Sequence, residues 1–199
     1  MTSLEDHRGQ AKSKETGMIP ATLSTQEVEK FNGRVRLMKE EDLPAVREIL
    51  EMWVRDPETG LDHEELDQDM KNLVGSLDGT LDRTNFVAET PDGQVIGTMG
   101  FASPKNELLP FSKTEKPGEL VNAYVHRDYQ GGKGVGTALL NAVESLARSK
   151  GCTEVILDSG PRHVLTGHPF YIRMGYEKAG VIPNYYGPGA HTTVFRREI

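Results

Sequence analysis

The segment YQGGKGVG, Tyr129 to Gly136, leads from an apolar, strand-like stretch straight into the most regular amphipathic helix of the chain. Val135, Ala138, Leu139, Ala142, Val143, Leu146 and Ala147 keep the spacing of one buried helical face, with Thr137, Asn141, Glu144 and Arg148 on the other. Gly151 supplies a C-terminal stop, and Arg148 and Lys150 suit the negative end of the helix dipole. Before the glycines, ELVNAYVH (Glu119 to His126) carries Leu120, Val121, Tyr124 and Val125, types that suit a partly buried strand. The order is strand, glycine loop, helix. The first amides of such a helix lack internal partners and sit at the positive end of the dipole, so a phosphate satisfies them. Glycines let the backbone approach and adopt positive φ, which converges successive N–H groups into a nest. Lys133 adds a point charge.

Three phosphate-loop patterns compete for these residues. A Walker loop needs G-x-x-x-x-G-K-[ST], but Gly132-Lys133 is followed by Gly134, and Arg127 stands where the first glycine belongs. The dinucleotide pattern G-x-G-x-x-G meets Thr137 or Leu139 where its third glycine is required. What remains is R/Q-x-x-G-x-G/A, and VHRDYQGGKGVGTALL (Val125 to Leu140) resembles the coenzyme A loop of the GNAT superfamily of N-acetyltransferases. Relative to that family's Y-Q/R-G-K-G-x-G the loop carries one extra glycine. Gly131 fills the slot of the usual Gln or Arg, and Gln130 lies one residue earlier. A second segment, FYIRMGYEKAG (Phe170 to Gly180), resembles the family's Y-x-x-x-G-F/Y stretch and follows the loop at the expected distance of one helix and one strand.

The rest of the chain fits one domain. Residues 1–33 mix Ser, Thr, Lys, Glu and Gly with few large apolar residues and read as a flexible leader without a secretory signal. From Arg34 to Ile199 the chain alternates. Arg34 to Leu37 is a short strand; Asp42 caps a helix with Pro44 in its first turn; and Leu61 to Leu77 is a second helix whose acidic start reads as a solvated face. Thr84 to Ser103 is a hairpin turning at Pro91-Asp92-Gly93. Thr153 to Ser159 is an apolar strand buried on both faces, as a parallel neighbour would be. A short helix and two strands, the last within HTTVFRRE, complete the order. The resemblance implies an α/β fold, α+β by some schemes. It is a GNAT-type mixed, largely antiparallel central sheet of about six to seven strands with helices on both faces.

The chain has 199 residues, 23 Lys plus Arg against 30 Asp plus Glu, a formal charge of −7 and 36% hydrophobic residues. The acidic field disfavours nucleic acid and favours a cationic substrate. No apolar run reaches the length of about 18 residues that spans a membrane. Cys152 is the only cysteine, which excludes an internal disulfide and fits a reducing, cytoplasmic setting. The six histidines are scattered without H-E-x-x-H or a cysteine partner, so no metal is expected. Asp158-Ser159-Gly160 lacks the leading glycine of a nucleophile elbow.

The resemblance implies direct transfer of an acetyl group from acetyl-coenzyme A, a co-substrate, to a primary amine within a ternary complex. It assigns the pyrophosphate to the amides of Gln130, Gly131, Gly132, Lys133, Gly134, Val135, Gly136 and Thr137. It places the acetyl carbonyl near the backbone of Tyr124 or Val125, where two strands splay apart. Tyr171 aligns with the family's general acid toward sulfur; a phenol of pKa about 10 holds its proton at neutral pH. Glu119, at the start of its strand, is the candidate base, with Asp158 and His126 behind it. Tyr185 and Tyr186, in the NYYGPGAH loop, are candidates to line the amine site, and Arg162 is read as a surface salt bridge. Dimers are frequent in such a superfamily, making a homodimer one expectation. Two alternatives keep the fold: a non-catalytic acyl-coenzyme A module that regulates a partner, and a transferase of another acyl group.

Overall fold

The structure is a computed structural model that describes residues 31–56 and 59–199; all but the last three residues of the expected leader lie outside the described residues. The described elements run β1 (Arg34–Leu37), α1 (Leu43–Glu51), β2 (Arg55–Asp56), β3 (Gly60–Leu61), α2 (His63–Leu77), β4 (Arg83–Glu89), β5 (Val95–Ala102) and β6 (Pro117–Val125). They continue with α3 (Val135–Ser149), β7 (Glu154–Ser159), α4 (Gly167–Arg173), β8 (Glu177–Ile182) and β9 (Thr192–Glu198). Seven strands form one open sheet in the order β1-β4-β5-β6-β7-β9-β8, and β2 and β3 pair separately. Every neighbour in the large sheet is antiparallel except β6 and β7, which run parallel. Among the described residues no helix is long and apolar enough to cross a membrane.

The alternation of side chains along β4 divides the core. Val87 points to α1 and α2, where Val46, Ile49, Leu50, Leu66 and Leu73 pack, while Ala88 points to the cluster around α3. On that second face Leu139, Leu140, Val143 and Ala147 of α3 are buried against Ile96, Val155, Leu157 and Phe195. Each such side chain contributes about 1.5–3 kcal/mol on leaving water. The hairpin closes as the sequence predicts: the Gly93 amide donates to the Thr90 carbonyl at 2.9 Å, and Gly93 has φ 90°.

Two local expectations are corrected. Glu144 was placed on the outer face of α3, yet it is buried, where it accepts the Tyr176 hydroxyl at 3.1 Å and Arg197 Nη1 at 3.1 Å. A carboxylate is stable in such a place because donors from β9 and the loop before β8 meet it. Asp42 does precede α1, but its carboxylate does not cap that helix. It accepts the Lys39 amide at 2.8 Å and both Nη atoms of Arg36 at 2.7 and 2.8 Å, tying the preceding turn to β1.

Candidate active site

The parallel pair β6 and β7 touches at one end only. Pro117, Gly118 and Glu119 pair with Glu154, Val155 and Ile156; beyond that β6 continues to Val125 and β7 to Ser159 without pairing to each other. A right-handed sheet twist opens such a pair once its ladder stops. A bulge adds to this, since two residues of β6, Asn122 and Ala123, stand opposite Met99 alone, and Asn122 has φ 51°. Past the bulge Gly97 faces Val125, and the His126 amide reaches the Ile96 carbonyl at 2.9 Å. That register turns the Val125 peptide groups away from β5 and toward the gap. The Val125 carbonyl there accepts Trp53 Nε1 at 3.0 Å and Gln130 Nε2 at 3.2 Å.

The glycine loop lies at the end of this gap. Gly131, Gly132 and Gly134 have φ of 77°, 94° and 81°, and Gly134 precedes the first turn of α3. Among the described residues no acceptor meets the amides of Gly131 through Thr137. Seven consecutive donors at a helix start form an anion cradle by the reasoning that singled the loop out. A Cβ built on Gly131 would meet nothing, whereas one on Gly136 would press on Phe170 at 3.2 Å. Lys133 does not lean over the cradle: its ammonium donates to the Asp128 carbonyl at 2.8 Å and lies 5.6 Å from the centre of the Tyr129 ring.

Tyr171 is buried on α4 among Phe170, Tyr176 and Phe195, with ring centroids 5.3 to 5.8 Å away. Its hydroxyl makes no hydrogen bond with the described residues. Burial, reinforced by the charge of Asp158, pushes this phenol well above its ordinary value, so it keeps its proton. Gly167 packs closely beside it: a Cβ there would stand 3.2 Å from His163 Cβ, 3.5 Å from Ser159 Oγ and 3.6 Å from the Tyr171 ring.

Glu119 is buried on the opposite face. Its Oε2 accepts the Lys105 amide at 2.9 Å, and its Oε1 meets the Lys105 ammonium at 3.3 Å. The same ammonium lies 3.2 Å from Asp158 Oδ1 and 3.3 Å from the Tyr185 hydroxyl, while Tyr186 donates to Asp158 Oδ2 at 2.8 Å. Burial lowers the pKa of Lys105, but Asp158 and Glu119 outweigh it and raise the ammonium's pKa. Desolvation raises Glu119 against the pull of Lys105. Tyr185 and Tyr186 therefore meet Asp158 and Glu119 around one lysine. His126 stays apart, its Nδ1 accepting the Asp128 amide at 3.2 Å.

Sequence reasoning missed Lys105, Asn122, Trp53 and Asp69. Asp69 of α2 accepts the Tyr124 hydroxyl at 3.2 Å and Asn122 Nδ2 at 3.2 Å. The acidic start of α2 is thus not wholly a solvated face: Glu65 and Asp62 hold Arg162 at 2.6 and 2.9 Å, the ion pair expected for that arginine. Asp62, Glu65 and Asp69 fall at i, i+3 and i+7, a stripe that helical counting would have put on one side. Among the described residues no cluster of His, Cys, Asp and Glu suits a metal ion.

Residues 44–176 match the acetyltransferase (GNAT) family. Glucosamine 6-phosphate N-acetyltransferase of Trypanosoma brucei brucei is 28% identical over 145 residues, 71% of this chain and 87% of the relative. Aminoglycoside N(6')-acetyltransferase type 1 of Stenotrophomonas maltophilia is 32% identical over 117 residues, 58% of this chain and 68% of the relative. A Salmonella typhimurium structure solved with its cofactor acetyl-CoA shares the fold at a TM-score of 0.61 and 19% identity, over 84% of this chain and 94% of that one.

Proposed function

This chain belongs to the acetyltransferase (GNAT) family, and from that premise we propose that it moves an acetyl group from acetyl-coenzyme A to a primary amine by direct attack in a ternary complex. The single observation that carries the reading is the stretch of β6 that has parted from β7 and ends at a cradle of amides free among the described residues. A pyrophosphate suits this loop, because three left-handed glycines stand among seven consecutive amides that meet no acceptor among the described residues, and the space beside Gly131 is open. In this reading the amides of Gly131 to Thr137 hold the pyrophosphate, the Gln130 amide of the expected set being taken by the Arg127 carbonyl at 3.3 Å, and the backbone of Tyr124 and Val125 borders the acyl group. Acetyl-coenzyme A supplies the acetyl group and, in its sulfur, the leaving group.

The chain's own residues then have three tasks. Tyr171 holds a proton at Oη and donates a hydrogen bond to charge developing on sulfur; its burial keeps that proton in place, and its lack of a hydrogen-bond partner among the described residues leaves it available. Lys105 joins Glu119, Asp158 and Tyr185, fixing the wall of the amine site. Glu119 engages Lys105 with both oxygens, so its part is to orient that lysine. Trp53 and Gln130 clamp the Val125 carbonyl and fix the edge of the gap.

The relatives' acceptors, glucosamine 6-phosphate and aminoglycosides, supply two chemistries to test. The decisive experiment measures thiol release from acetyl-coenzyme A over a panel of amines, with Tyr171→Phe as control. Amine-dependent release that falls in the variant supports the reading. Tight coenzyme A binding with no release on any amine would favour a binding module instead.

A further inference from the structure

α2 brings one carboxylate to the open part of β6. Asp69 is only half-buried, and its two oxygens are oriented separately, Oδ2 by the Tyr124 hydroxyl and Oδ1 by Asn122 Nδ2. Both donors stand where β6 has already left β7. Asn122 carries two local costs there: its φ is 51°, and its Oδ1 is buried with no partner among the described residues. A left-handed non-glycine residue and an unpaired buried acceptor each disfavour the folded state, and such features persist where a site over-determines them. Among the described residues the one side-chain hydrogen bond Asn122 makes goes to Asp69.

The two faces of the sheet carry different parts of the site. Tyr171 belongs to the α3 face, Tyr124 packs on the α1 and α2 face, and the gap between β6 and β7 connects them. On the α2 side Lys105 is committed to Glu119 and Asp158, and Arg162 to Asp62 and Glu65. The groups facing Asp69 are Glu65 on its own helix, Arg83 on β4, and Tyr124 and Asn122 on β6. His163 lies 6.2 Å from the Tyr124 ring, and burial, then Arg162 and His168, lower its pKa. Burial and then Glu65 push the Asp69 carboxyl up to about 6. A carboxylate of that basicity, oriented by two donors and backed by further carboxylates, suits an ammonium group and repels a phosphate.

Resting on the acetyltransferase reading, we propose that Asp69 receives the ammonium group of a polycationic primary amine at the gap and takes its proton. On becoming an amide the nitrogen sheds two protons. The first passes to Asp69 and on to solvent, which frees the nitrogen's electron pair to form the C–N bond. As the C–S bond breaks, its pair leaves on sulfur, Tyr171 Oη gives sulfur a proton, and the nitrogen's second proton restores the phenol through solvent. Glu65 and Asp62 stand one and two turns before Asp69 on the same stripe, where two carboxylates share the single charge of Arg162 and leave the rim of the site net negative toward a polycationic acceptor.

The test is calorimetric binding of tobramycin and of spermidine to the full chain, with acetyl-coenzyme A titrated separately, in wild type, Asp69→Asn and Asp69→Glu. A pH–rate profile follows on whichever amine is acetylated. Wild type is expected to bind at least one amine, and Asp69→Asn to weaken it at least about tenfold, as loss of a charge partner does, with acetyl-coenzyme A affinity unchanged. The acidic limb near pH 6 should vanish in Asp69→Asn and return, displaced, in Asp69→Glu. Equal amine affinity in Asp69→Asn, or an unmoved acidic limb, overturns the proposal. So does wild type that binds acetyl-coenzyme A and neither amine, an outcome that leaves the acetyltransferase reading standing. Wild type that fails to bind acetyl-coenzyme A overturns both.

Discussion

Glu119 holds Lys105 twice, taking its backbone amide at 2.9 Å and its side-chain ammonium at 3.3 Å. The lysine thus bridges two strands, since Asp158 of β7 receives the same ammonium at 3.2 Å. Substituting Lys105 by Met leaves two buried carboxylates facing each other without a counter-charge. Loss of one partner of a buried pair costs about 3–5 kcal/mol, and the partial exposure of Lys105 puts the expected loss nearer ~2–3 kcal/mol. Urea denaturation at neutral pH checks it. Adding Glu119→Gln to the Lys105→Met chain should recover part of that loss, and a double variant no more stable than Lys105→Met would contradict the pairing.

Tyr171→Phe separates chemistry from packing. The ring is enclosed by Phe170, Tyr176 and Phe195, whereas the hydroxyl bonds to no described residue. Removing that oxygen should therefore change stability by less than about 1 kcal/mol. Turnover is expected to fall by about a hundredfold or more, the usual worth of a positioned acid, with coenzyme A affinity retained. Turnover at the wild-type rate would exclude the acid role.

Asp69→Asn carries the opposite stability signature from most buried substitutions. The folded carboxyl has a pKa of about 6 against an ordinary 3.8, so between those values the folded chain binds a proton that the unfolded chain has released. Wild-type stability should accordingly decline as pH rises from about 4 to about 6 and then level off. Asparagine has no such proton to lose. Two pKa units correspond to about 2.7 kcal/mol, and the partial exposure of Asp69 reduces the gain expected at pH 7 to about 1–2 kcal/mol. Thermal unfolding of both chains over pH 4–8 reads the difference, and parallel curves would show that Asp69 is not strained by its surroundings.

Where the sequence was readable, the reason was local. The stripe from Val135 to Ala147, the turn at Gly93 and the strand Glu154 to Ser159 depend on neighbours within a few residues, so periodicity and turn chemistry placed them. The match of the glycine loop to a known pattern placed the cradle for the same reason. Glu144 was misplaced because Tyr176 and Arg197 reach it from far along the chain. Lys105 escaped notice because it lies in a polar loop whose meaning comes only from Glu119 and Asp158, brought together by the one parallel pair in the sheet. Asp69 needed the bulge at Asn122, whose positive φ has no signature in a strand otherwise rich in apolar residues.

Gly131, the residue by which the loop exceeds the family pattern, can be tested by deletion. Its φ of 77° and that of Gly132, 94°, make two successive left-handed steps, and its amide is one of the seven without an acceptor among the described residues. Deletion would draw Gln130 toward Gly132 and pull its side chain from the Val125 carbonyl, the group that also receives Trp53. Two losses follow, one donor in the cradle and one clamp at the edge of the gap. Together they should weaken coenzyme A by at least about tenfold, equivalent to about 1.4 kcal/mol. Gly131→Ala keeps the register and meets open space, so it pays only the left-handed penalty of about 1–2 kcal/mol in stability and should bind coenzyme A more tightly than the deletion. Calorimetry with coenzyme A on the two variants decides the matter: a deletion that binds as well as wild type would mean that the shorter family register is equally competent and that the shifted set of amides is not what holds the phosphate.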